Sequence, residues 1–107
     1  MAIDVTKNNF EDVLKEKNIT VLDFWAPWCG PCKMLLPVID SLSESNKENN
    51  ITIGKVNVDE NIDIAQKYAI RGVPTVIFMD NKGEELKRIV GYKDEKSFQE
   101  IINELLN

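Results

Sequence analysis

The two cysteines of the chain lie three residues apart, in the segment WCGPCK at 28–33. On a helical turn this spacing separates two Cα atoms by roughly 5 Å, which is within the span of a disulfide. A helical pattern begins near Pro31, so Cys29 lies at or before a helix N-terminus, where unpaired N–H groups and the helix dipole favour a thiolate. Cys29 is therefore the predicted nucleophile. Cys32, one turn deeper, is placed to resolve a mixed disulfide.

Two other roles for this cysteine pair remain open, a stabilising disulfide and half of a metal site. The ring is so small that a structural disulfide would contribute only about 2 kcal/mol through loop entropy. A reducing compartment would also tend to break it. With two cysteines and no histidine, the chain cannot form a closed zinc site or a Cys-His or Ser-His-Asp catalytic group. Redox chemistry is the favoured role, and no metal is expected.

Charge and hydropathy narrow the possible partners. The formal net charge is -5, so nucleic acids and anionic membrane surfaces are not expected to bind. No apolar stretch approaches the roughly 20 residues needed to span a bilayer. The N-terminal segment MAIDVTKNNF lacks the apolar core of a secretory signal. The expected location is the cytoplasm, and the expected state is a monomer.

The elements that position the cysteines follow from hydrophobic periodicity along 107 residues, a length that suits one domain over 1–107. Helical spacing predicts helices at 6–17, 31–45 and 62–69 and after Asp94, and strand patterns cover 3–5, 19–25, 51–58, 75–79 and 86–90. A tight turn is expected at 80–83, where Asp, Asn and Gly cluster. The order β-α-β-α-β-α-β-β-α predicts an α/β fold, a mixed five-stranded sheet with its four helices on both faces.

Asp23 interrupts an apolar strand just before the cysteines. Strand alternation places it on the same face as Ile19, Val21 and Trp25. One interpretation is that its carboxyl reaches water or a lysine at the strand end. The other is that burial raises the pKa of the carboxyl and makes it a usable proton carrier.

The segment FWAPWCGPCK at 24–33, the segment VPT at 73–75 and Gly91 after the last strand together resemble thioredoxins. The resemblance extends over essentially the whole chain. It implies a thioredoxin-like fold and a dithiol–disulfide oxidoreductase that reduces protein disulfides through Cys29 and Cys32. It also implies a separate thioredoxin reductase as electron donor. None of the five glycines belongs to a phosphate-binding motif, so no nicotinamide or flavin cofactor is expected.

The resemblance further implies roles for individual residues. Asp23 would assist deprotonation of Cys32, and Lys55 would lie near that aspartate, although a solvated lysine at a strand end fits the pattern equally well. Pro74 would follow a cis peptide bond opposite the cysteines, and the backbone of Val73 would bind an extended substrate. Gly30, Pro31 and Pro74 would shape the site.

An apolar rim around Cys29 is expected to dock protein substrates. Its predicted members are Trp28, Pro31, Val73, Gly91, Val58 and Tyr92. For Trp28, packing in the core is the alternative. Tyr92 and Ile62 depart from the usual thioredoxin pattern, in which a small residue and a proline are frequent at these places, so partner preference stays open.

Two other classes of function remain. A thiol oxidase or disulfide isomerase of exported proteins would use the same fold, but the N-terminal segment and the Gly30-Pro31 dipeptide argue against it. A binding subunit without catalysis would keep its biological activity when both cysteines are replaced by serine.

Overall fold

The computed structural model describes all residues 1–107 and contains five strands and four helices. In chain order the elements are β1 (Ile3–Asp4), α1 (Phe10–Glu16), β2 (Ile19–Trp25), α2 (Gly30–Ser45), β3 (Ile51–Asn57), α3 (Ile62–Lys67), β4 (Thr75–Asp80), β5 (Glu85–Val90) and α4 (Glu95–Leu106). This order confirms the predicted α/β fold. None of the helices has the length and apolar character that crossing a membrane requires.

The five strands form one mixed sheet in the order β1-β3-β2-β4-β5. Strands β1, β3 and β2 are parallel, whereas β4 runs antiparallel to β2 and to β5. Strand β2 is therefore the central strand, with a parallel neighbour on one side and an antiparallel neighbour on the other. The active-site segment leaves the sheet from the end of this strand.

Each face of the sheet is covered by two helices. Helices α2 and α4 pack on one face, through the buried side chains Leu35, Ile39, Leu42, Phe98 and Ile102. Helix α1 and residues of α3 pack on the other, through Phe10, Val13, Leu14 and Ile64. Parallel strands need crossover helices, so both faces of the sheet become buried, as the sequence predicted.

Two helix boundaries differ from the sequence prediction. Helix α1 begins at Phe10 rather than near Thr6, because residues 7–9 form a hydrogen-bonded turn before it; within this turn the Asn9 side chain accepts a hydrogen bond from the Thr6 N–H at 2.7 Å. Helix α3 ends at Lys67, and Ala69 follows with a φ of 52°, which no right-handed helix allows. Hydrophobic periodicity predicts which residues are buried, but it does not predict the local turns at which a helix begins or ends.

The β4–β5 hairpin contains the turn expected at 80–83. The Asp80 carboxylate accepts hydrogen bonds from the backbone N–H groups of Lys82 and Glu84, at 2.9 and 3.0 Å. Gly83 adopts a φ of 83°, which glycine tolerates without a steric penalty. The turn is thus built by its own polar residues.

Strand β1 approaches β3 closely because Gly54 has no side chain. A Cβ at Gly54 would lie 2.7 Å from the Val5 side chain and 3.1 Å from the Ile3 carbonyl oxygen. The short edge strand is also held by a hydrogen bond of 2.9 Å from the Val5 N–H to the Lys55 carbonyl. The close approach and this hydrogen bond hold β1 beside Gly54 and Lys55 of β3.

Candidate active site

The two cysteines occupy the turn between β2 and α2. Cys29 is the N-cap of α2, with extended backbone angles, and its sulfur accepts a hydrogen bond of 3.2 Å from the Cys32 N–H. The two sulfurs form a disulfide, with the Cα atoms 5.2 Å apart. When the pair is reduced, the same N–H and the helix dipole remain to stabilise a thiolate at Cys29.

The two sulfur positions differ in accessibility. The exposed fraction of Cys29 is 6%, whereas that of Cys32 is 0%. Both pack with buried Ala26 and with the partly buried Trp25, Val58 and Val73. Cys29 is therefore the more accessible of the two sulfur positions.

The loop before β4 covers Cys29. The Val73 carbonyl oxygen lies 3.6 Å from the Cys29 sulfur, and the Val73–Pro74 peptide bond is cis, as the resemblance implied. The Pro74 carbonyl accepts a hydrogen bond of 2.8 Å from the N–H of Gly91. Val73, Pro74 and Gly91 are thus connected beside the sulfur of Cys29.

Asp23 is fully buried in the middle of β2, with an exposed fraction of 0%. Neither carboxyl oxygen has a hydrogen-bond partner within the protein. Residues of the same parity on β2, Ile19 and Val21, lie in the core beneath α2, the helix that carries Cys32. Burial raises the pKa of Asp23 from its ordinary value of 3.8 to about 7, although the positive charge of Lys55 partly opposes the rise.

Lys55 is the register partner of Asp23 on the neighbouring strand β3. It is half-buried, which differs from the fully solvated lysine that the sequence left open. Register partners on parallel strands direct their side chains to the same face of the sheet, so Lys55 is the cation nearest to Asp23 in the sheet.

Trp28 does not pack in the core, because 70% of the residue is exposed. Its indole N–H donates a hydrogen bond of 3.0 Å to the carboxylate of Asp59. An apolar groove of about 170 Å³ begins at this indole; it is lined by Trp28, Val58, Ala65, Ile70, Arg71, Gly72 and Val73. Tyr92 is 43% exposed and lies outside this lining, as does Gly91.

Five residues of this site were not expected from the sequence. Asp59 accepts the hydrogen bond from the indole, and Ala65, Ile70, Arg71 and Gly72 extend the groove. Asp59 belongs to a loop in which acidic and amide residues follow one another, so no pattern distinguished its carboxylate from its neighbours. No group of three or more metal-binding side chains occurs anywhere in the chain.

Comparison with known proteins agrees with this geometry. The family model described as Thioredoxin matches residues 1–104. The thioredoxin of Rickettsia bellii is 42% identical over 104 residues, covering 96% of this chain and 97% of that protein. The thioredoxin of Buchnera aphidicola is 38% identical over 106 residues, covering 98% and 96%.

Solved structures give the same result at the level of the fold. A mutant thioredoxin from Halobacterium salinarum superposes with a TM-score of 0.84 at 32% identity, covering 100% of this chain and 90% of that one. The Malassezia sympodialis thioredoxin has a TM-score of 0.84 at 35% identity, with coverages of 97% and 90%.

Proposed function

The chain belongs to the thioredoxin family and is a dithiol–disulfide oxidoreductase that reduces protein disulfides, and we propose that Cys29, Cys32 and Asp23 divide the steps of this exchange among them. The family implies disulfide-containing proteins as substrates and a thioredoxin reductase as electron donor.

In the first step, the Cys29 thiolate attacks one sulfur of a substrate disulfide. A bond forms between Cys29 and that sulfur, the substrate disulfide breaks, and the other substrate sulfur leaves as a thiolate that takes a proton from water. The difference between the two cysteines carries this assignment: Cys29 is the helix N-cap, is 6% exposed and accepts a hydrogen bond from a backbone N–H, whereas Cys32 is fully buried.

In the second step, Cys32 gives its proton to the Asp23 carboxylate and attacks the Cys29 sulfur. The mixed disulfide breaks, the substrate leaves with its second thiolate, and Cys29 and Cys32 remain joined. Two electrons pass from the dithiol to the substrate. The raised pKa of Asp23, about 7, supports its role because a proton carrier works best near the operating pH.

Substrates dock, in this proposal, on the surface around Cys29. Trp28 and Val73 supply apolar contacts, the Val73 backbone pairs with an extended peptide, and Pro74 and Gly91 keep the approach open. Tyr92 adds an exposed aromatic ring beyond the groove. The exposure of Trp28 and the apolar groove beside it support this assignment.

We assign the protein to cytoplasmic electron transport as a monomer with residues 1–107 acting as one domain. The net charge of -5 and the restriction of the apolar groove to one small surface support a monomer. Size-exclusion chromatography with light scattering tests the monomer, which should have a mass near 12.2 kDa.

The turbidity assay of insulin reduction by dithiothreitol tests the cysteine roles. Wild type should accelerate precipitation of the released chain, whereas Cys29→Ser and Cys32→Ser should not. Cys32→Ser should instead accumulate a mixed disulfide with insulin on Cys29, visible by mass spectrometry without reductant. If folded wild-type protein gives no acceleration, a narrow substrate range or a binding role replaces general reduction. A trapped adduct on Cys32 in the Cys29→Ser protein would reverse the assigned roles.

A further inference from the structure

Three charged residues lie side by side on one face of the sheet. Lys55 on β3 is the register partner of Asp4 on β1 and also of Asp23 on β2. Partners in parallel strands direct their side chains to the same face, so the lysine stands between two carboxyl residues. The face is the one that α2 and α4 cover, because Ala2 and Val21, of the same parity, lie in that core.

The two carboxyl groups beside Lys55 have opposite environments. Asp23 is fully buried and has no hydrogen bond, whereas Asp4 is exposed. Asp4 and Lys55 line one cleft of about 420 Å³ at the end of the sheet, and Asp23 does not. No ion pair within 4.0 Å involves Lys55. The flexible lysine side chain can therefore respond to both carboxylates.

The backbone fixes Asp4 next to this lysine. The Val5 N–H donates to the Lys55 carbonyl at 2.9 Å, and Gly54 allows β1 to approach β3 closely. The position of Asp4 is therefore set by the sheet, although its side chain is exposed.

We propose that Asp4 is a positioning residue whose carboxylate draws the Lys55 ammonium toward the cleft. The positive charge of Lys55 then stabilises the ionised form of Asp23 less than it would without Asp4. The proposal rests on the role of Asp23 in the proposed function. Direct repulsion between the two carboxylates acts in the same direction, because both effects disfavour the charged form of Asp23. Asp4 would thereby keep the buried acid protonated to a higher pH than Lys55 alone would permit.

Few other titratable groups on the surrounding elements face Asp23. Its partner on β4 is Val76. Helix α2 contributes Cys32, apolar residues and, at the edge beside β1, Asp40, whose carboxylate accepts a hydrogen bond of 3.1 Å from the Ala2 N–H; α4 contributes Phe98 and Ile102. In the oxidised protein Cys32 is held in the disulfide and does not titrate. Lys55 and, beyond it, Asp4 are then the charged residues in this row of register partners.

The test is a carboxyl ¹³C NMR titration of Asp23 in the oxidised protein at low ionic strength. In Asp4→Asn the pKa of Asp23 should fall by roughly half a unit, as expected for charges two strands apart. In Lys55→Gln it should rise. In the protein that already carries Lys55→Gln, Asp4→Asn should lower the pKa of Asp23 by less than half of the shift that it causes in wild type. The matched control is Asp12→Asn, which removes an exposed carboxylate from α1 on the opposite face.

Two results would overturn the positioning role: a shift in Asp4→Asn no larger than in Asp12→Asn, or a shift of equal size with and without Lys55. The pH profile of insulin reduction separates this failure from failure of the proposed function. If the NMR titration moves as expected while the rate profile stays fixed, the Asp4 inference stands and the catalytic role of Asp23 fails.

Discussion

A carboxyl group inside an apolar core raises the free energy of the folded state once it ionises. Asp23 is such a group, because both of its oxygens are buried and without hydrogen bonds. Its pKa is about 7 in the folded protein and 3.8 in an ordinary environment. Below the lower value both states are protonated and folding is not penalised. Between the two values the unfolded state has lost its proton while the folded state keeps it, so the unfolding free energy falls as the pH rises and levels off above about 7.

Asp23→Asn should remove this pH dependence. Between pH 4 and pH 8 the oxidised wild type should lose up to about 4 kcal/mol of unfolding free energy relative to Asp23→Asn, since one pKa unit corresponds to about 1.4 kcal/mol. Urea unfolding of both proteins at the two pH values measures the difference. A difference between the two proteins that does not change with pH would show that Asp23 remains ionised throughout.

The sequence predicted the cysteine pair and the buried aspartate well, because both follow from local pattern. Spacing and the start of a helix placed Cys29 and Cys32, and strand alternation placed Asp23. The bond between Trp28 and Asp59 could not be predicted, because it joins side chains 31 positions apart in loops without periodicity. Burial at strand positions has a period, but a hydrogen bond between loops has none.

At the level of elements, long amphipathic helices, buried strands and the turn at 80–83 were predicted closely, whereas the turns before α1 and after α3 were not. Helix α4 follows Asp94, as expected, and the Asp94 side chain caps it by accepting from the Ser97 N–H at 2.9 Å. Helix α1 is preceded by a turn at 7–9, and the Thr6 carbonyl accepts a hydrogen bond of 2.9 Å from the Phe10 N–H across it. A turn and the first turn of a helix share such a bond, so residue types alone do not separate them.

Gly54→Ala tests the close contact between β1 and β3. The added methyl group would collide with the Val5 side chain and the Ile3 backbone, so the unfolding free energy should fall by about 1–3 kcal/mol. Gly72→Ala is the matched control, because a Cβ there meets nothing within 4 Å, and it should change stability by less than about 0.5 kcal/mol. Chemical denaturation compares them. If both substitutions changed the unfolding free energy equally, β1 would have moved to accept the methyl group without loss of stability.

Across the whole molecule, two large cores support a small cluster around the disulfide. The core beneath α2 and α4 includes Phe78 and Phe98, whose ring centroids are 6.4 Å apart. Ala26, Cys29 and Cys32 form a separate cluster. The sequence predicted a mixed sheet but not the order of its strands, because periodicity identifies a buried face without identifying the neighbouring strand.

Phe98→Ala should therefore affect stability much more than catalysis. Removing this fully buried ring should lower the unfolding free energy by about 3–5 kcal/mol. Activity per folded molecule in the insulin assay should stay within about twofold of wild type, because the ring lies in a different cluster from the cysteines. The control Leu106→Ala, at the partly exposed end of α4, should cost under about 1 kcal/mol. A large loss of activity per folded molecule would show that the clusters are coupled.

The central position of β2 also determines how slowly its amide protons exchange with solvent. Residues Ile19–Trp25 pair with β3, and Ile19–Phe24 pair with β4 as well, so fraying from an edge cannot expose them. Their exchange then requires the opening of the entire sheet. The turn that carries Cys29 and Cys32 is thus attached to the strand for which we expect the slowest amide exchange in the chain, so the disulfide is anchored on a segment that opens only when the protein unfolds.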